Sequence, residues 1–220
     1  MWNNIVLLIT KYNGLFLQGL KYTLLLAAIT VLGGVVLGSL LALLRLSSVW
    51  ILSLIATTYI EIVRGTPLLL QLYVFYFLVP KLLPFEPSSF FCVSIALIIN
   101  SAGYVSEIIR AGIEAVDFGQ NEAARSLGLN SSQAMLLVIM PQAIKNILPA
   151  LCNEFVTVVK ETSLASNFFL GDLMTTYRKI NGALYMTIEP LIVVGVIYLI
   201  VTFTLSKGIG IFENRLRVSG

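Results

Sequence analysis

Two long stretches of the chain contain no charged side chain, and they constrain the fold more than any other feature. Residues 22–44 and 87–106 run for 23 and 20 residues without an Asp, Glu, Lys or Arg. An α-helix needs about 20 apolar residues to cross the hydrocarbon core of a bilayer, whereas a transmembrane β-barrel shows shorter segments of alternating polarity. Only 11% of the residues are charged, against about 25% in a soluble domain. The sequence therefore predicts an all-α membrane protein.

The apolar runs predict five transmembrane helices in a single domain that covers residues 1–220. In the first span, Gly33, Gly34 and Gly38 offer a small-residue face for close helix contact. The second span is interrupted at 64–67 (Arg-Gly-Thr-Pro), and a further break is expected before Pro80, because proline removes a backbone donor and disfavours the helical conformation of its predecessor. The predicted spans are 18–44, 50–79, 88–113, 145–167 and 189–208.

The charged segments between the spans suggest an orientation. Glu107, Arg110 and Glu114 lie at i, i+3 and i+7, which predicts one ion-paired stripe where the third helix emerges into water. The segment 117–132 is the one long amphiphilic stretch, and 170–187 is expected to be a loop. If 117–132 and the C-terminus are cytoplasmic, seven Lys and Arg residues lie inside, among them Arg215 and Arg217, and five lie outside. The excess of positive charge inside agrees with the positive-inside rule. Because five spans place the two chain ends on opposite sides, the N-terminus is predicted to lie outside.

Several kinds of chemistry are excluded by what the sequence lacks. There is no histidine, so a His-centred metal site, proton relay or catalytic triad is excluded. Cys92 and Cys152 both lie in apolar segments and are expected to be packing residues. The chain has no G-x-x-x-x-G-K-[ST] motif for nucleotide phosphates. We therefore expect neither an enzyme nor a chain that binds a cofactor itself; any ATP and magnesium would belong to a partner.

The amphiphilic segment carries the most specific motif. Residues 120–128 predict a two-turn helix that ends at Gly128, and 130–133 (Asn-Ser-Ser-Gln) predicts a capping box that opens the next helix. Such a knob can be a solvated connector. Its residues, however, resemble the EAA loop of ABC-importer permeases: Glu122-Ala123-Ala124, then Gly128 after three residues, then Val138-Ile139-Met140-Pro141 after nine more. The resemblance implies that this is the coupling helix, which inserts into a groove of the ATP-binding subunit.

Three further stretches, 59–67, 104–113 and 153–164, resemble the polar amino-acid permeases of that group, which serve histidine, glutamine, arginine, cystine or opines. The resemblance covers roughly residues 15–215. It implies a type I (MetI-like) importer fold in the bacterial plasma membrane. It also implies a dimer with an identical or sister permease subunit, two copies of an ATPase and an extracellular solute-binding protein. The other expected partners are the amino-acid substrate and membrane lipid, and no nucleic acid.

Charges at membrane depth indicate where a substrate would bind, because each is costly unless it is paired or wet. On a helix, Glu154, Thr157 and Glu161 share one face, and Lys160 points about 100° away from Glu161. An ammonium or guanidinium ligand would supply the missing positive charge. We therefore expect these three residues to bind a polar amino acid, with Glu61 as a third carboxylate. The two α-helical carboxylates favour basic amino acids as substrates. Transport is expected to proceed by alternating access.

Alternatives stay open at this point. Glu61 and Arg64 at i and i+3 would neutralise each other, and Glu161 would pair with Lys160 across neighbouring helices. The same kind of importer would also carry glutamine, glutamate or cystine. An ion-coupled secondary carrier is the alternative from a different class, but it is expected to show internal repeats, and none is evident in the sequence.

Overall fold

A computed structural model describes the backbone of residues 1–218 and the side chains of residues 1–214, and this part of the chain is built from helices. A π-helical turn, Met135–Ile139, leads into the eighth α-helix, and a 3₁₀ helix, Thr162–Phe168, follows it. Arg215 and Arg217, which entered the charge count above, lie outside the residues whose side chains are described. The α-helices are α1 (Trp2–Lys11), α2 (Asn13–Arg45), α3 (Trp50–Gly65), α4 (Leu68–Leu82), α5 (Ser89–Glu114), α6 (Phe118–Ser126), α7 (Ser131–Ala134), α8 (Met140–Glu161), α9 (Leu173–Leu184) and α10 (Ile188–Val218).

The number of membrane-spanning segments agrees with the prediction. Among the described residues, four segments are long and apolar enough to cross a bilayer, namely 13–45, 89–114, 131–168 and 188–214, and the count reaches five when the bent pair α3–α4 is taken as one span. The fourth span begins well before the predicted residue 145, because α7 and the π-helical turn run without interruption into α8. The last helix also continues past the predicted end at residue 208.

The predicted interruption of the second span is confirmed. Helices α3 and α4 meet at 110°, and Thr66 between them is extended, as expected for a residue before proline. The break predicted before Pro80 is wrong, since α4 continues through Pro80 to Leu82. Pro80 has no N–H, so the carbonyl of Tyr76, four residues earlier, loses its helical hydrogen bond. Because α4 ends only two residues later, this single loss does not interrupt the helix.

The glycine face of α2 packs directly on α5. A Cβ atom on Gly34 would lie 2.7 Å from Ser101 Oγ, and one on Gly38 would lie 2.7 Å from Val105 Cβ. Gly33 is similarly close to Ile98, so the predicted small-residue face is confirmed. These contacts advance in the same direction along both helices, which makes α2 and α5 parallel.

Helix α8 returns antiparallel to α5. Near one end, Asn146 donates to the carbonyl of Gly112 at 3.4 Å, and further along Ser101 contacts Glu154. The segment 117–132 therefore lies at the end where α5 leads into α8, and α9 follows the opposite end of α8.

Two short helices depart from the sequence-based expectation. Helix α1 was not predicted, and α9 replaces most of the predicted loop 170–187. Helix α9 forms because Leu173, Thr176 and Ile180 recur at helical spacing and are buried. Asp172 caps it by accepting from the backbone N–H of Met174 at 2.9 Å. Burial raises the pKa of the Asp172 carboxyl, which lies between the candidate spans, and the hydrogen bonds that it accepts act in the opposite direction.

Candidate functional site

The three residues singled out on the fourth span lie on α8, which stays regular up to Glu161. Because Glu154, Thr157 and Glu161 are separated by three and four residues, they share one face of the helix. All three are half-buried. The two carboxylates are two turns apart, a rise of about 10 Å. The predicted acceptor-rich face is thus formed, with a hydroxyl between two carboxylates.

Ser101 of α5 holds the first of these carboxylates. Its hydroxyl donates to Glu154 Oε1 at 3.2 Å, and Ser101 itself is buried. On its other side, Ser101 touches Gly34, where a side chain would collide with the hydroxyl. Helices α2, α5 and α8 therefore meet at Glu154, and one hydrogen bond sets the direction of its carboxylate. Sequence reasoning did not identify Ser101.

The α8 carboxylates form no ion pair with a Lys or Arg side chain among residues 1–214. The ion pairs found in that part of the chain all involve Glu107 or Glu114. No Lys or Arg nitrogen described there lies within 4.0 Å of Glu61, Glu154 or Glu161. Because a half-buried carboxylate is poorly solvated, such a face favours a ligand that brings a positive charge.

Neither of the two charge pairings considered as alternatives forms an ion pair among the described side chains. Arg64 does not pair with Glu61; its Nη1 lies 3.6 Å from Glu107 Oε2, and its guanidinium lies 5.7 Å from the ring centre of Tyr104. Lys160 is exposed and forms no ion pair within the described part of the chain. Glu61 is exposed on α3, and no described hydrogen bond joins it to the α8 carboxylates.

A polar junction that sequence reasoning missed holds the bend between α3 and α4. Pro67 has no N–H, so the carbonyl of Val63, four residues earlier, loses its helical donor. Gln71 Nε2 takes that place, donating to Val63 O at 2.7 Å and to Thr66 Oγ1 at 2.8 Å. Asn100 of α5 donates to Gln71 Oε1 at 2.9 Å, and both amides are buried. The bend is therefore hydrogen-bonded internally and to α5.

The predicted knob at 117–132 is formed, and its corner requires glycine. Gly128 has a φ of 88°. The N–H of Gly128 donates to the carbonyl of Arg125 at 3.0 Å, and the N–H of Leu129 donates to the carbonyl of Ala124 at 3.2 Å. This pair of bonds is the Schellman motif that ends α6.

The capping box is confirmed as well. The side chain of Asn130 accepts from the N–H of Gln133 at 2.9 Å, and the Gln133 side chain accepts from the N–H of Asn130 at 2.9 Å. Helix α6 packs against α7 and the π-helical turn. The knob is therefore held together by its own hydrogen bonds and by packing of its helices.

The exposure of the knob shows which residues a partner can reach. Glu122, Ala123, Gly128 and Pro141 are exposed, whereas Ala124 is 3% exposed. Of the two alanines, the first therefore faces outward and the second packs inside the knob. Large apolar side chains flank this surface, because Phe118 is 72% and Leu127 is 85% exposed. Exposed apolar side chains of this size are typical of surfaces that contact another protein or the membrane.

The opposite end of α8 carries a second unusual surface. Phe169, which ends the 3₁₀ helix, and Tyr185, which ends α9, have φ angles of 56° and 53°. Such angles are strained for bulky residues, yet the Tyr185 side chain is 92% exposed. Arg178 stacks 6.0 Å from the Phe169 ring centre and donates to Asn167 Oδ1 at 2.9 Å. Phe169, Tyr185 and Arg178, with the exposed Lys179, are called the α9 surface below.

Comparisons with known proteins agree with this arrangement. The family described as "Binding-protein-dependent transport system inner membrane component" matches residues 34–218. The chain is 43% identical over 190 residues to the arginine transport system permease protein ArtQ of Bacillus subtilis (strain 168), covering 86% of this chain and 87% of that protein. It is 41% identical over 202 residues to a putative glutamine transport system permease protein GlnP of Rickettsia bellii (strain RML369-C), covering 92% and 93%.

A solved structure described as an amino acid ABC transporter with histidines superposes with a TM-score of 0.91 at 46% identity, over 95% of this chain and 97% of that one. The family and these relatives are transport permeases of the membrane, not enzymes. The chain therefore belongs to the inner membrane components of binding-protein-dependent transport systems, as a multi-pass permease subunit of an amino-acid ABC importer.

Proposed function

We propose that this permease subunit moves polar amino acids by alternating access, with a preference for basic ones (arginine, lysine or histidine), and that Glu154, Thr157 and Glu161 contact the substrate. The observation that carries the proposal is the pair of half-buried carboxylates on one face of α8, with no cation within 4.0 Å among the described side chains. A guanidinium or ammonium group would form charge-assisted hydrogen bonds with both. The arginine permease among the relatives supports this preference.

Each residue has a distinct role in the proposed site. Glu154, oriented by Ser101, accepts from the cationic group of the substrate. Thr157 lies between the carboxylates and can donate or accept through its hydroxyl. Glu161 at the end of α8 provides the second carboxylate. Glu61 has no ion pair with a described cation, and we assign it a third contact as the substrate passes α3.

The energy source in this proposal is ATP hydrolysed by a partner. The chain contains no phosphate-binding loop of the G-x-x-x-x-G-K-[ST] type, so ATP and magnesium would be bound by two copies of an ATPase subunit. The knob is the proposed contact, with Glu122, Ala123 and Gly128 on its outer side and Pro141 beside it. Ala124 supports that surface from within. A second permease subunit, identical or sister, would complete the path within the lipid bilayer.

The orientation that follows has the knob and the C-terminus in the cytoplasm and the N-terminus outside. The α9 surface then faces outward, where a solute-binding protein would dock. Support comes from its two cations, the half-buried Arg178 and the exposed Lys179, and from its two exposed aromatic rings, since aromatic residues and arginine are enriched at protein interfaces. Asp172, the one acidic residue between 169 and 187, is buried. An acidic patch on the binding protein would complement this surface.

Uptake into proteoliposomes tests the proposed site. The complete complex, with its ATPase and binding protein, would carry Glu154→Gln plus Glu161→Gln. A hydrogen bond to a charged group contributes about 1.5–3 kcal/mol, so the KM for arginine should rise at least about tenfold. Uptake of glutamine should change much less. Glu86→Gln, an exposed carboxylate between α4 and α5, is the matched control and should change neither.

Two results would count against parts of the proposal. Unchanged arginine and lysine uptake in the double variant would remove Glu154 and Glu161 from the substrate site. A wild-type complex that carries glutamine but no basic amino acid would refute the preference for basic substrates and leave the importer itself standing. The glutamine permease among the relatives makes glutamine the right comparison.

A further inference from the structure

One face of α5 carries a nearly continuous row of polar side chains that leads from the bend between α3 and α4 to the knob. Its members follow one another at intervals of three or four residues, which places them on one face of the helix. They are Asn100, Tyr104, Glu107, Arg110 and Glu114. This row is called the α5 polar stripe below.

The first half of the stripe holds the bend between α3 and α4. Asn100 donates to Gln71, the side chain that bonds the freed carbonyl of Val63. One turn further, the guanidinium of Arg64 lies over the ring of Tyr104. The stripe therefore contacts both sides of the bend, with Arg64 at the end of α3 and Gln71 in the first turn of α4.

The second half joins three helix ends at a single carboxylate. Glu107 accepts from Arg45 Nη1 at the end of α2 at 2.6 Å, and it lies 3.6 Å from Arg64 Nη1 at the end of α3. Arg110 Nε donates to it at 3.1 Å, and Arg110 also pairs with Glu114. Glu114 ends α5, three residues before the residue that caps α6.

We propose that Glu107 is a positioning residue for transport, which mechanically ties the end of α5 next to the knob to the bend between α3 and α4. The inference rests on the proposed role of the knob as the ATPase contact. A helix is stiff along its axis, so a push on the knob moves the end of α5 as a unit. Because Glu107 is hydrogen-bonded to Arg45 and ion-paired with Arg64, the same movement carries the ends of α2 and α3 with it. Charge-assisted hydrogen bonds are strong enough for this role.

Replacing the carboxylate should disconnect ATP hydrolysis from transport without removing either partner's site. In Glu107→Gln the amide keeps the shape of the side chain but loses its charge, and the three arginines lose their shared counterion. The ratio of amino acids taken up to ATP hydrolysed in proteoliposomes should fall about tenfold, within the usual range of coupling between sites. Glu114→Gln is the matched control, since Glu114 pairs with Arg110 alone among the described side chains, and its ratio should stay near that of the wild type.

A second variant identifies the link itself. Arg64→Gln removes the partner on the α3 side, and its side chain is partly exposed, so folding is expected to survive. It should lower the same ratio, and the combination with Glu107→Gln should be no worse than Glu107→Gln alone, because residues in one network are not additive. Size-exclusion chromatography checks assembly, and if Glu107→Gln fails to assemble, Arg64→Gln decides the outcome by its own ratio.

Several outcomes would overturn the link. One is a ratio that stays at the wild-type value in Arg64→Gln or in an assembled Glu107→Gln complex. Another is an equal fall in Glu114→Gln, and a third is a strictly additive effect of the two variants. A parallel fall of uptake and hydrolysis would indicate a structural role alone. A wild-type complex that takes up no amino acid would instead contradict the proposed function, so the two failures are distinguishable.

Discussion

Replacement of Gln71 by leucine is expected to destabilise the protein more than a single lost hydrogen bond in the membrane would suggest. Leucine is similar in size to glutamine, so the change removes polar atoms with little change in volume. It leaves the carbonyl of Val63 and the amide nitrogen of Asn100 without the partner that each has now. Thr66 also loses the Gln71 amide at its carbonyl and its hydroxyl. It is only half-buried and its hydroxyl keeps a bond to the carbonyl of Ile62, so it adds little to the loss.

The magnitude follows from counting these two groups. A buried polar group left without a partner costs about 1–3 kcal/mol. Two such groups predict a fall of about 2–6 kcal/mol in the free energy of unfolding. Tyr59→Phe is the control, because its hydroxyl makes one bond, to the carbonyl of Ile99 at 2.7 Å within α5. That carbonyl belongs to a helical turn, so the control should cost about 0.5–1.5 kcal/mol.

Reversible unfolding in mixed micelles, followed by circular dichroism, measures these differences. The double variant Gln71→Leu plus Asn100→Leu gives the sharper test. It removes both amides, so no unpaired amide is left on α5, and it should be no less stable than Gln71→Leu alone. A cost below about 1 kcal/mol for Gln71→Leu, or a double variant whose loss equals the sum of the single losses, would refute this account of the bend.

Three further variants test other parts of the structure. Gly34→Ala places a methyl group 2.7 Å from Ser101 Oγ; it should displace the Ser101–Glu154 bond and raise the KM for arginine uptake several-fold, and an unchanged KM would contradict the role of Ser101. Gly128→Ala strains the corner of the knob at a φ of 88°, at a cost of about 1–2 kcal/mol; less ATPase should co-purify than with Gly128→Asn, and equal recovery would argue against a rigid corner. Tyr185→Gly relieves strain at a φ of 53° and should raise the melting temperature while weakening stimulation of the ATPase by the binding protein; undiminished stimulation would remove Tyr185 from the proposed docking surface.

Features set by neighbouring residues in the chain could be predicted from the sequence. The charge-free runs indicate spans because a bilayer requires them, whatever the rest of the chain does. The break at 64–67, the corner at Gly128 and the capping box at 130–133 depend on the residue itself or on residues a few positions away. The Glu107–Arg110–Glu114 stripe is likewise a local pattern on one helix, and the structure confirms it.

Features set by distant residues could not be predicted in the same way. Ser101 and Glu154 are 53 positions apart, and Arg45 and Glu107 are 62 apart. A serine or an arginine near a membrane helix has many possible partners, and only the packing of helices selects one. Gln71 did offer a signal, as the one amide among the apolar and aromatic residues between Pro67 and Lys81.

The wrong expectations have physical causes too. The segment 170–187 contains Asp172, Arg178 and Lys179, so it resembled a loop. Its apolar side chains nevertheless recur at helical spacing, and one face of α9 is buried. Pro80 predicted a break, but it lies close to the end of α4. It therefore costs the helix one hydrogen bond, and only two residues of helix follow it. For the segment 170–187 the composition was misleading. For Pro80 the prediction considered the residue type but not its position in the helix.

The most direct test of the account is ATP hydrolysis by the reconstituted complex, measured with its binding protein across a panel of amino acids. The account predicts that polar amino acids stimulate hydrolysis, most strongly arginine, lysine or histidine, and that uptake stops when the ATPase subunit is left out. Hydrolysis that ignores every amino acid in the panel, or amino-acid uptake that continues without the ATPase, would contradict it.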